Sequence, residues 1–207
     1  MSKLPRNHNA THDVDAFLEK VRRTPAPAVP SGKRGRLIFA LDATMSRQPT
    51  WDAACQIQGE MFDATRAIGG LDVQLVYFRG FGECKAGAWQ PDAAGLARLM
   101  SKVACHAGKT QIGKVLTHVK KQTDQGKVGA VVYVGDAFEE DIDDVCHTAG
   151  ELGILGVPVF VFQEGADPIA QRAFREIARL TNGAWCPFDL ASADRLKALL
   201  SAVAVYA

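Results

Sequence analysis

The stretch Leu37-Ile38-Phe39-Ala40-Leu41-Asp42-Ala43-Thr44-Met45-Ser46 decides the reading of this chain. Its first five residues are apolar without interruption, and the run stops at an aspartate. A strand with one wet face alternates apolar and polar residues, whereas a strand covered on both faces does not. The run therefore predicts a buried parallel strand that ends in a carboxylate. Ala130-Val131-Val132-Tyr133-Val134-Gly135-Asp136 repeats the pattern. In an open α/β sheet, ligands sit beyond the carboxyl ends of the strands, where the strand order reverses. If these two strands are neighbours across that reversal, Asp42 and Asp136 face one crevice.

Working outward, strands and helices alternate. Trp51, Ala54, Cys55, Met61, Phe62 and Ile68 recur at helical spacing, with Gly69-Gly70 as a stop. A second strand is predicted over 73–78, then a turn and short edge strand over 80–89. A helix follows over 91–103, with Pro91 in its first turn. Ile112, Val115, Leu116 and Val119 mark the next helix, and Ile142, Val145, Ala149 and Leu152 the one after Asp136. A strand over 157–162 carries Pro158 near its start, where a missing donor matters least. Ile169, Ala173, Phe174, Ile177 and Leu180 stripe a helix that stops at Asn182-Gly183. A short strand over 184–188 and a closing helix striped by Leu196, Leu199, Leu200 and Val203 complete the pattern. Single helices between strands imply an α/β fold with helices on both faces of a parallel sheet.

The residues before this pattern read differently. Residues 1–11 are polar, and 13–23 predict a short helix with Val14, Phe17, Leu18 and Val21 on one face. Thr24-Pro25-Ala26-Pro27-Ala28-Val29-Pro30-Ser31-Gly32 reads as a stiff linker. The expected division is an extension over 1–35, dispensable for folding, and a domain over 36–207. Lys33, Arg34 and Arg36 suit either a docking patch or a solvated flank to the first strand, and the flank is the simpler reading.

The chain has 207 residues, 47% of them hydrophobic and 23% charged, with a formal net charge of +1. That balance gives no bulk attraction to nucleic acid or to an acidic membrane. No apolar run reaches transmembrane length, and the first twenty residues carry charges rather than a secretory apolar segment. There are five cysteines, Cys55, Cys84, Cys105, Cys146 and Cys186, in no C-x-x-C pair. They read as reduced thiols of a cytoplasmic protein. Cys105-His106 and Cys146-His147 hint at zinc, but adjacent residues seldom aim at one ion. His118, in a helix with Lys120 and Lys121, is expected on an exposed face.

The chemistry lies in the loops. Asp42-x-Thr44-x-Ser46 turns three oxygen side chains toward one centre. Thr110, in Gly108-Lys109-Thr110-Gln111-Ile112-Gly113, stands just before a helix, either facing the same crevice or as a plain helix N-cap. Carboxylates and hydroxyls are hard ligands that suit Mg²⁺ or Mn²⁺. Asp42, Thr44, Ser46, Thr110 and Asp136 resemble the metal-ion-dependent adhesion site of von Willebrand factor A (vWA) domains. That pattern is Asp-x-Ser/Thr-x-Ser, a distant Thr, and a distant Asp at a strand end. The resemblance covers about residues 36–200. It implies a Rossmann-type, six-stranded sheet of order 3-2-1-4-5-6, mostly parallel with one short antiparallel edge strand. It also implies a divalent ion whose coordination a partner's acidic side chain completes. Three departures stand out: Thr44 where Ser is commoner, Gly135 where Thr often precedes the Asp, and the acidic stretch Phe138-Glu139-Glu140-Asp141. That stretch is expected on the far side of the Asp136 loop, where it repels unsuitable partners.

The functional expectation is a metal-dependent protein-interaction module without catalytic activity, similar to intracellular bacterial single-domain members of that family. Such members often accompany ATPase or chaperone-type complexes. Arg47, Arg79 and Lys109 are expected to ring the metal and steer an Asp- or Glu-bearing protein partner. Two alternatives remain. One is a metal-dependent phosphohydrolase with Asp42 as nucleophile, although Thr44 stands where such enzymes place a second Asp. The other is a vWA scaffold with a vestigial metal site. No P-loop, Gly-x-Ser-x-Gly or strand-following G-x-G-x-x-G motif supports other enzyme classes.

Overall fold

The central apolar run becomes a strand because two neighbours supply its backbone partners and two helical layers cover its faces. In the computed structural model, the described residues are 8–24, 34–57, 62–64, 70–188 and 193–207. Strand β1 (Gly35–Asp42) lies between β2 (Leu71–Arg79) and β4 (Ala130–Gly135), parallel to both. Beyond β2 lies β3 (Glu83–Ala86), antiparallel at the edge. Beyond β4 lie β5 (Val159–Glu164) and β6 (Trp185–Phe188), both parallel. The order is β3-β2-β1-β4-β5-β6, the expected six-stranded sheet. It reverses between β1 and β4, so Asp42 and Asp136 flank the switch point.

Period-two alternation divides the strands between two cores. Phe39, Leu41, Val132, Val134, Phe160 and Phe162 face one layer. That layer includes α1 (His8–Arg23), α2 (Gln48–Ile57), α3 (Ala93–Met100) and α7 (Ala193–Tyr206). Ile38, Ala40, Val131, Tyr133, Val159 and Val161 face the other, formed by α4 (Ile112–Gln125), α5 (Ile142–Ile154) and α6 (Pro168–Leu180). α3 starts after Pro91, because Asp92 is the better cap: its side chain accepts from the Gly95 N–H at 2.7 Å. Met61, Ile68 and Gly69, and the side chains of Leu196 and Leu199, lie outside the described residues.

The N-terminal helix packs on the domain. Phe17 is 2% exposed, with its ring 5.8 Å from that of Phe160 and 5.2 Å from that of Phe162. Val21 is buried beside it. The apolar face was legible, but the Pro-rich stretch hid that it closes the sheet's β5 side. Arg34 and Arg36 are likewise not simply solvated. Arg34 bonds Asp72, the Leu71 carbonyl and the Pro91 carbonyl, each at 2.6 Å. Arg36 donates to the Gly126 carbonyl at 2.5 Å and stacks 4.0 Å over Trp89. His118 is half-buried and bonds Gln74 at 2.9 Å, because its helix faces β2 there. The five cysteines are free thiols.

Candidate metal centre

The β1 run delivers Asp42 to the carboxyl edge of the sheet, where it is 3% exposed. Its Oδ1 accepts the Thr44 N–H at 2.7 Å, which fixes the turn after the strand. Its Oδ2 is buried and has no hydrogen-bond partner. Thr44 Oγ1 lies 3.4 Å from Ser46 Oγ, and Ser46 Oγ donates to Asp136 Oδ2 at 3.2 Å. Asp42, Thr44, Ser46 and Asp136 thus form one linked group across the switch point. Burial pushes the Asp42 carboxyl up to about 6, with the Asp136 charge adding to it and the Thr44 hydrogen bonds opposing it.

Thr110 enters from a third loop and is buried. Its hydroxyl accepts the Glu139 N–H at 2.9 Å, and its own N–H donates to the Glu139 carboxylate at 3.2 Å. That reciprocal pair ties Thr110 to the loop that follows Asp136. Thr110 makes no direct hydrogen bond to the other four residues among the described contacts. It is not a helix cap, since Gln111 holds the N-cap position of α4. The first N–H groups of the helix are taken instead by Glu140, from Ile112 at 2.5 Å and Gly113 at 2.9 Å. Asp141 caps α5, accepting from Asp143 at 2.9 Å and Asp144 at 3.3 Å. All three carboxylates of this stretch bond to backbone N–H groups, while Glu139 and Asp141 stay exposed. Gly135 also has a reason, since a side chain there meets the Tyr133 hydroxyl at 2.4 Å.

The three predicted steering cations separate. Arg47 is 2% exposed, so it is not a surface charge. The single 3-10 turn Met45–Arg47 tucks its side chain back toward the end of β5. There Nη1 pairs with Glu164 and stands 3.9 Å from Asp136 Oδ2. Arg79 donates to the Ala104 carbonyl at 2.6 Å and pairs with Glu83 at 2.9 Å. Hydrogen bonds from Arg79 and Lys85 hold the Glu83 carboxyl down to about 2. Lys109 alone of the three is exposed, and its N–H donates to the Gly80 carbonyl at 3.0 Å. Sequence reasoning missed Glu164. The signal was available, since Phe162-Gln163-Glu164-Gly165 is a third strand ending in an acid. It also passed over Met45 in the loop between Asp42 and Ser46, 61% exposed, and Phe81 in the β2–β3 turn, 83% exposed.

The donor set fits a hard divalent ion. Two carboxylates and the neighbouring hydroxyls are oxygen donors, and the unpartnered Asp42 Oδ2 is a buried acceptor that lacks a donor or cation. Among the described residues, no three His, Cys, Asp or Glu side chains are placed to hold one ion.

No family model and no curated protein sequence matches this chain. Solved structures do. One is a von Willebrand factor type A protein from Catenulispora acidiphila, with TM-score 0.69 and 14% identity over 84% of this chain and 43% of that one. Another is proximal thread matrix protein 1 from the mussel byssus with a zinc-occupied MIDAS motif. It has TM-score 0.66 and 14% identity over 84% of this chain and 46% of that one. A third is the SpRpn10 VWA domain, with TM-score 0.62 and 11% identity over 79% of this chain and 94% of that one. This chain spans less than half the length of the first two. At these identities the likeness is one of fold, and the fold is that of vWA domains. No helix among the described residues is long and apolar enough to cross a membrane.

Proposed function

We propose that this protein is a metal-dependent interaction module that grips a partner protein's carboxylate through a divalent ion. Asp42, Thr44, Ser46, Thr110 and Asp136 hold the ion, directly or through water, and Mg²⁺ or Mn²⁺ suits them best. The observation that carries this reading is the buried, unpartnered Asp42 Oδ2 beside the Thr44–Ser46–Asp136 chain. The bound ion supplies an open coordination position for the partner's Asp or Glu. The mussel protein's zinc-occupied MIDAS is support by analogy of fold. In this reading the protein is cytoplasmic, works without catalysis, and binds neither nucleic acid nor membrane. An ATPase or chaperone-type complex is the kind of partner proposed.

The burial of Arg47 and the pairing of Arg79 change how approach works. Lys109 is left as the exposed cation of the three. Met45 and Phe81 offer apolar contact on loops at the same end of the sheet. Complementarity of shape then contributes more, and long-range steering less, than a ring of cations provides. Affinity capture from the native cell, with Mg²⁺ and with a chelator, tests the proposal. A partner retained by wild type with Mg²⁺, and lost with chelator or with Asp42→Ala, is the expected result. A partner retained under all three conditions contradicts it.

A further inference from the structure

Arg47 is the side chain that the fold and the metal ligands leave unexplained. A guanidinium stays charged at any ordinary pH, yet this one is almost wholly buried. It lies among the acids at the carboxyl ends of three adjacent strands: Asp42 at the end of β1, Asp136 after β4 and Glu164 at the end of β5. Nη1 bonds Glu164 and is 3.9 Å from Asp136. Nε and Nη2 are buried without a hydrogen-bond partner. Glu164 is held from a second side, because the Thr50 hydroxyl donates to the same carboxylate oxygen. Three carboxylates against one guanidinium leave two negative charges, which one divalent ion neutralises.

We propose that Arg47 is a built-in counter-cation of this centre, and that Glu164 holds it away from Asp136. The inference rests on the metal reading above. With Glu164 charged, the guanidinium is anchored at the β5 side, and Asp136 keeps its oxygens for Ser46 and for the ion. Without that charge, the under-satisfied guanidinium closes the remaining distance and pairs with Asp136. Arg47 and the metal then compete for one carboxylate. Neither Arg47 nor Glu164 touches the ion; both are positioning residues that set how strongly it is held.

Calorimetric titration of the full chain with Mn²⁺ and with Mg²⁺ tests this on wild type, Glu164→Gln, Arg47→Met and the double variant. Glu164→Gln is expected to bind about ten-fold more weakly, in the range typical of groups that orient metal ligands. Arg47→Met is expected to bind more tightly than wild type. The double variant is expected to match Arg47→Met, because Glu164 has nothing to restrain once the guanidinium is gone. A merely structural Glu164 makes the double variant weaker than Arg47→Met. That comparison still decides the matter if Glu164→Gln alone does not fold. Wild-type binding with Glu164→Gln unchanged, or a double variant clearly weaker than Arg47→Met, overturns this inference and leaves the metal reading standing. Absence of binding by both wild type and Arg47→Met overturns the metal reading and this inference with it.

Discussion

The two ends of the same sheet treat arginine in opposite ways. At the amino end, Arg36 donates to the Gly126 carbonyl and lies over Trp89, while Arg34 spends its donors on Asp72 and two carbonyls. Backbone also closes in there: a side chain at Gly129 meets the Ala207 carbonyl at 2.4 Å. At the carboxyl end, Arg47 is buried with two nitrogens unpartnered. Among the described residues, atoms of Asp42, Arg47, Arg79 and Tyr133 are buried side-chain groups without a hydrogen-bond partner. Each lies in the carboxyl half of β4, at the end of β1 or β2, or in the adjoining loops. Folded proteins pair nearly all buried polar groups, so a cluster of exceptions marks a place kept for something else. The arginines at one end of this sheet find their partners, and at the other end several buried polar atoms go without.

The largest expected effect tests the stable side. Phe17→Ala removes a ring wedged between Phe160 and Phe162. Urea unfolding is expected to show a loss of about 3–5 kcal/mol, and a chain starting at Gly35 to lose at least as much. A loss below about 1 kcal/mol would return α1 to the status of a detachable extension.

Asp42→Asn tests the other end, in chelated protein. The folded state raises the Asp42 pKa from 3.8 to about 6, so it prefers the neutral carboxyl. Wild type therefore loses stability as pH rises from the unfolded value through the folded one, whereas Asn has no proton to lose. The variant is expected to be ahead by roughly 3 kcal/mol at pH 7, with the gap closing below about pH 4. It also keeps the acceptor for the Thr44 N–H. Unfolding curves across pH that stay parallel contradict the assigned cause.

The smallest effect compares the arginines directly. Arg36→Met is expected to cost about 1–3 kcal/mol, since it strands a carbonyl and loses the stack on Trp89. Replacing the Arg47–Glu164 pair by Met and Gln together is expected to leave stability within about 1 kcal/mol of wild type or above it, because a buried ion pair repays its desolvation poorly. Equal losses at both ends, read from urea midpoints, would erase the contrast.

Most of the sheet was legible because an uninterrupted apolar run has few alternatives, and β1 and β4 announce themselves in Leu37–Leu41 and Ala130–Val134. The ligand candidates were legible because strand ends and the loop spacing of Asp42, Thr44 and Ser46 are local features. What a residue's partner is, 90 or 117 positions away, is not local. Sequence shows that Arg47 is charged; only the packed fold shows that it is buried on Glu164. Glu139 and Glu140 read as surplus surface charge until the N-terminus of α4 docks on them. Phe17 reads as the face of a free helix until the sheet it covers exists.

The central claim is that the carboxyl end holds a divalent ion through Asp42. Thermal unfolding of wild type and Asp42→Asn at pH 7, followed as Mn²⁺ is added to chelated protein, tests it most directly. Ligand that binds only the folded state raises the melting temperature in proportion to the logarithm of its excess over Kd. The account predicts that Asp42→Asn starts higher and stays flat, while wild type climbs toward it with each increment of metal. Two curves that rise together, or two that stay flat, would contradict it.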